Sequence, residues 1–157
     1  MSTLSQLHTA LQPILEILTN RSLDAQLQYD LSKRYPLSSS TIQQIKTLLQ
    51  QCIQERSLVM RGSPDLRFGL LHKQSKEIPI RIDVVDMTGA GPSHTHTLGE
   101  VNLCFALDAK ASFDGNLEGW VVYPAQSWHI PTVYNGRMLI MYFIPQGKIV
   151  FDTMPKR

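Results

Sequence analysis

The chain's 157 residues, 43% apolar and 18% charged, are enough for one sizeable globular core with or without a helical extension. A formal charge of +2, balanced in both the first 56 residues and the remainder, gives no basic module for nucleic acid or an anionic membrane surface. No apolar run approaches a membrane span, and no basic stretch leads into an apolar one near Met1, so a soluble cytoplasmic protein is the expectation.

Residues 1–56 read as about three helices. Leu4, Leu7, Leu11, Ile14, Leu15 and Leu18 recur at a period near 3.6 and line one face. Thr3 and Gln6 have capping-box spacing, and Pro13 predicts a kink or a split. A second helix starts after Ser22, buries Leu23, Leu27 and Leu31, and stops before Pro36. A third begins at Ser40, with an apolar stripe of Ile42, Ile45, Leu49, Cys52 and Ile53. Residues 41–55 carry one Lys and one Glu, too few cations for a DNA-recognition helix.

The pattern changes after Arg56. Residues 57–157 read as a second region of short strands at 67–72, 80–87, 94–96, 100–107, 120–123, 129–133, 137–144 and 148–151. Gly, Pro, Asn and Asp punctuate them, and Asn135-Gly136 predicts a hairpin between the sixth and seventh. Eight short strands with regular turns argue for an antiparallel sandwich or jelly-roll barrel preceded by the helices. Cys52 and Cys104 form no C-x-x-C and read as buried thiols.

Three of the five histidines form a pattern. His94 and His96 make H-x-H, Glu100 follows the second by four positions, and His129 opens a later strand. Residues i and i+2 of a strand share a face, so His94 and His96 can grip one ion. Glu100 rejoins that face if the chain stays extended or turns near Gly99. A third imidazole completes a donor set suited to a divalent transition metal: iron, manganese, nickel, cobalt or zinc. A lone histidine is more often a core or surface group than a ligand, and His8 and His72 are read that way. Glu100 is either the fourth ligand or a nearby general base.

This order of ligands resembles the cupin superfamily. The first cupin motif appears as GPSHTHTLGE at 91–100, and the second as GWVVYPAQSWH at 119–129. The framework departs in places. Leu107 stands where the first motif ends in Gly, Gln126 replaces a glycine, Val133 replaces Asn, and the Gly119-to-Pro124 spacing is one short. The resemblance implies a small β-barrel holding metal through His94, His96, Glu100 and His129, assembled as a homodimer. A narrower resemblance rests on IDVVDM at 82–87, the first motif, FDG at 113–115, GWVVY at 119–123, HIPTV at 129–133 and GRMLIMYFIP at 136–145. These look like the 4-hydroxylaminobenzoate lyase family of bacterial nitroaromatic catabolism. That family is associated with converting 4-hydroxylaminobenzoate to protocatechuate and ammonia.

Such a reaction implies further roles. Tyr123 and Tyr142 are candidate proton donors, beside Glu100 as candidate base. Arg81 and Arg137, each interrupting an apolar β segment, are candidates for the substrate carboxylate, ahead of Arg61 and Arg67. Trp120 and Trp128 are candidates to sandwich the ring, although aromatics on strands are mostly core. Competing expectations are a metal-cupin dioxygenase or isomerase acting on a small aromatic acid, and a non-enzymatic ligand-sensing cupin.

Overall fold

The computed structural model describes residues 1–152. Three helices come first: α1 (Thr3–Thr19), α2 (Ala25–Arg34) and α3 (Ser40–Glu55). Each starts on a side-chain cap. The amides of Ser5, Leu27 and Ile42 donate to Ser2, Asp24 and Ser39. The first cap is therefore Ser2 rather than Thr3, and Gln6 turns to the Met1 carbonyl instead. α1 is not split at Pro13. An interior proline costs about 3 kcal/mol, but each buried leucine or isoleucine returns about 1.5–3 kcal/mol. Leu7, Leu11, Ile14, Leu15 and Leu18 are all buried along this helix, so packing outweighs the proline. Among the described residues no helix is long and apolar enough to cross a membrane.

The strands are β1 (Arg61–Ser63), β2 (Leu66–His72), β3 (Ile80–Ala90), β4 (His94–His96), β5 (Glu100–Ala106), β6 (Ser112–Phe113), β7 (Gly119–Tyr123), β8 (Ser127–His129), β9 (Thr132–Pro145) and β10 (Val150–Phe151). They form two antiparallel sheets. The larger runs β1-β2-β3-β9-β5-β7, with β6 also on β9; the smaller runs β10-β4-β8. The architecture is a cupin-like barrel with helices packed on one sheet.

Asn135-Gly136 does not make the expected hairpin. β9 continues through it as one strand, and its register against β3 shifts there in an enlarged, bulge-like irregularity. Gly89 pairs with Val133 while Met87 pairs with Met138, so β9 has extra residues between those pairs. Asn135 and Gly136 have φ of 61° and 140°, and a Cβ on Gly136 would lie 2.6 Å from that of Asp108. Asp108 fills that space and accepts from the Arg137 amide at 2.7 Å. Tertiary pairing decides that these residues bend a strand rather than reverse it.

Alternation along β3 divides the interior in two. Ile80, Ile82 and Val84 share a core with the helices, joined by Leu103, Phe105, Met141 and Phe143 from neighbouring strands. Val85 and Met87 face the other way, into the barrel, with Cys104, Val121, Ile140 and Tyr142. α2 covers the β7 edge: the Val122 amide donates to Gln28 Oε1 at 2.8 Å, satisfying an edge group that would otherwise be open.

Candidate metal centre

The small sheet brings the three histidines together. His94 pairs with His129, Thr95 with Trp128, and His96 with Ser127. Strand alternation turns His94, His96 and His129 into the barrel and leaves Thr95 and Trp128 on the outer face. Glu100 comes from the other sheet. The chain leaves β4, turns at Gly99 with φ of 95°, and enters β5 at Glu100. A Cβ at residue 99 would lie 2.8 Å from the Tyr123 carbonyl oxygen, so only glycine lets the chain cross there.

All four side chains are buried, and one donor atom from each lies within 4.8 Å of the others. His94 Nε2 is 3.0 Å from Nε2 of both His96 and His129. Glu100 Oε2 is 3.4 Å from His96 Nε2 and 4.0 Å from His94 Nε2.

The outer hydrogen bonds fix the proton on each ring. His94 Nδ1 faces the Pro92 carbonyl at 3.0 Å, which only accepts. His96 Nδ1 faces Ser127 Oγ at 2.9 Å, and that hydroxyl already donates to the Pro124 carbonyl. His129 Nδ1 faces the Asp114 carboxylate at 2.6 Å. Each neutral ring therefore carries its proton on Nδ1 and turns the Nε2 lone pair inward. Burial pushes the His94 imidazole below the ordinary histidine range, reinforced by the neighbouring imidazoles and opposed by Pro92 and Glu100. Both Glu100 oxygens are buried and have no hydrogen-bond partner among the described residues. Three lone pairs and an unpartnered carboxylate facing one point are costly without a cation. They fit a divalent transition metal with room for further ligands.

Asp114, absent from the sequence-derived candidates, lies behind this cluster. Its Oδ2 accepts from His129 and from the Tyr123 hydroxyl, and its Oδ1 accepts from the Thr132 amide at 2.9 Å. Burial raises its pKa, but these bonds outweigh burial and hold the carboxyl below the usual range. The Asp114-Gly115 pair reads as a turn in sequence; the FDG motif at 113–115 that contains it was the available signal. Burial, with the Asp114 carboxylate, pushes the Tyr123 phenol upward, and its ring stacks on His96 with centroids 5.2 Å apart.

A cavity of about 570 Å³ opens beside the cluster, and His94 reaches its wall. Phe68, Val85, Met87, Ile144 and Phe151 supply apolar lining, and Arg81, Asp83 and Tyr142 add polar groups. Arg81 Nε donates to Asp83 Oδ1 at 3.0 Å. Tyr142 is buried and stays a neutral phenol, its pKa raised by burial first and by Glu100 next.

The other sequence candidates are not brought to this cavity. Arg137 donates to Asp86 Oδ1 and to the Pro64 carbonyl, each at 2.7 Å. Asp86 alternates away from the cavity-lining residues of β3, and Arg67 binds it too. Trp120 lies in the helix-side core and donates to the Tyr35 carbonyl at 2.9 Å. Trp128 faces outward, 55% exposed, with its indole N–H on Asp152.

A family model described as "PnbB: 4-hydroxylaminobenzoate lyase" matches residues 9–151. A protein named 4-hydroxylaminobenzoate lyase from Pseudomonas putida is 35% identical over 75 residues, which cover 45% of this chain and 43% of that one. Another of that name, from Nocardioides sp. (strain LMS-CY), is 26% identical over 99% of this chain and 98% of its own length. Among solved structures, the DMSP lyase DddQ from Ruegeria pomeroyi DSS-3 superposes with a TM-score of 0.59 at 15% identity, covering 99% of this chain and 98% of that one. That likeness shows a shared fold.

Proposed function

The chain belongs to the PnbB 4-hydroxylaminobenzoate lyase family, and from that premise we propose a metal-dependent lyase acting on 4-hydroxylaminobenzoate or a related aromatic hydroxylamine. It releases ammonia and leaves protocatechuate, or the matching catechol. The observation that carries this reading is the convergence of three Nε2 lone pairs and the Glu100 carboxylate beside an apolar cavity bearing Arg81. The net change adds water and expels ammonia, so no external oxidant is needed.

His94, His96, His129 and Glu100 would hold the metal. Glu100 is read as a ligand because both its oxygens lack any other partner among the described residues. When bound, a divalent ion supplies Lewis acidity toward the hydroxylamino oxygen and a water of lowered pKa. Arg81 holds the substrate carboxylate. Asp83 occupies its Nε and leaves the outer guanidinium edge for a planar anion.

Register sets the span. Arg81 pairs with Ile144, and Val101, next to Glu100, pairs with Phe143. Arg81 therefore sits two strands from Glu100, about 10 Å at normal sheet spacing. That figure separates the two backbones; the Arg81 side chain spans part of it, and the substrate ring packs on Val85, Met87 and Ile144. Tyr142, a neutral phenol in the wall, donates a proton to the departing hydroxyl. Tyr123 braces the ligand rings. The same reading carries a homodimer in the cytoplasm, as the sequence expectations imply.

Incubation of the metal-loaded protein with 4-hydroxylaminobenzoate under nitrogen tests it. Ammonia release that stops with a chelator is the expected result. Release only in the presence of oxygen would move the chain to the dioxygenase reading, and turnover indifferent to chelation would end the metal mechanism.

A further inference from the structure

Resting on the metal-lyase reading, we propose that Asp114 is a positioning residue that fixes His129 and Tyr123 as one unit. The carboxylate sits on a rigid turn. Asp114 and Gly115 have φ of 51° and 86°, and Phe113 and Asn116 exchange backbone hydrogen bonds of 2.7 and 2.8 Å around them. Asp114 Oδ1 is pinned by the Thr132 amide at 2.9 Å, at the start of β9. That leaves Oδ2 for two donors, His129 Nδ1 at 2.6 Å and the Tyr123 hydroxyl.

Each bond has a consequence at the cluster. An acceptor-only carboxylate at Nδ1 forces the His129 proton onto that nitrogen and turns the Nε2 lone pair toward His94 Nε2, 3.0 Å away. A backbone carbonyl does this for His94 and a committed serine hydroxyl for His96. For His129 the task falls to Asp114. The second bond anchors Tyr123, whose ring centroid lies 5.2 Å from that of His96 and 4.7 Å from that of His129. One carboxylate thus orients one ligand directly and, through Tyr123, buttresses a second.

Asp114→Asn separates this role from simple packing. The amide keeps an oxygen for the Thr132 N–H but presents an NH2 group to His129. Nδ1 must then accept, and the ring proton moves to Nε2, pointing at His94 and His96. Chelator competition with Zn2+ or Co2+ on the full chain is expected to show binding weakened by about 10–100-fold. The absorption spectrum of the Co2+ form is expected to change, while the metal-free variant stays folded. Long-range proton–nitrogen NMR of the metal-free parent reads the tautomer without any substitution, and the Nδ1–H form of His129 is expected. An Asn variant that binds as tightly as the parent with the same spectrum, or an Nε2–H tautomer in the parent, overturns the proposal and leaves the metal reading standing. If the variant does not fold, the tautomer measurement decides. A parent chain that binds neither ion removes the metal reading and this proposal with it.

Discussion

The Glu100 side chain is fully buried, and neither oxygen has a hydrogen-bond partner among the described residues. Without a cation that arrangement is a liability; with one it is a ligand. Glu100→Gln separates the two states. Metal affinity is expected to fall by at least about 100-fold, beyond the usual cost of losing an outer-sphere partner. The metal-free variant is expected to be more stable than the metal-free parent by about 1–3 kcal/mol, because a buried carboxyl group with no partner among the described residues is replaced by a neutral amide. Metal analysis and urea unfolding with chelator present check both halves, and a destabilised metal-free variant would contradict the account. The donor residues were legible because His94, His96 and Glu100 lie within seven consecutive positions and obey strand alternation. Asp114 was not, because its partners are 9 and 15 positions away and Asp-Gly is an ordinary turn pair. Trp120 and Trp128 lie away from the cavity lining for a related reason: sequence shows that a residue alternates, but which face meets the cavity depends on the partner sheet.

At the scale of elements, the decisive feature is the three-residue crossing from β4 to β5. Gly99 makes it by adopting φ of 95° against the Tyr123 carbonyl and the Leu23 side chain. Gly99→Ala is expected to cost about 1–3 kcal/mol from backbone strain and also to weaken metal binding, because Glu100 is the next residue. Gly89, with φ of 77° and open space around it, is the control. Gly89→Ala should share the strain but leave the metal untouched, as thermal unfolding and chelator competition on both variants would show. The helices were readable from leucine periodicity, and their ends shifted by a residue or two where Ser2, Asp24 and Ser39 took the caps. Asn135-Gly136 was misread because a positive-φ pair serves a hairpin and a bulge equally well. The continued pairing of β9 with β3 selects the bulge, and that pairing is a long-range property.

For the whole molecule, burial of the cluster ties stability to pH. The folded state holds His94 below its ordinary value, so on acidification the unfolded chain takes up its proton first, from about pH 6.5. Stability of the metal-free protein is therefore expected to fall as pH drops below about 6.5 and to level off once pH passes the lowered folded value. His94→Asn should flatten that part of the profile. Comparing the two proteins by urea unfolding isolates the His94 contribution, because every other titrating group is common to both. A parent profile that is flat in this window would contradict it. The crossing at Gly99 has a consequence at this scale. Three donors hang from the small sheet and one from the large, so an ion held by all four is a clasp between the two halves of the barrel. Its binding energy opposes their separation and appears as folding stability, about 2.7 kcal/mol when free metal stands at 100 times its dissociation constant. The supply of metal around the protein would then govern how long the chain survives as well as how fast it turns over.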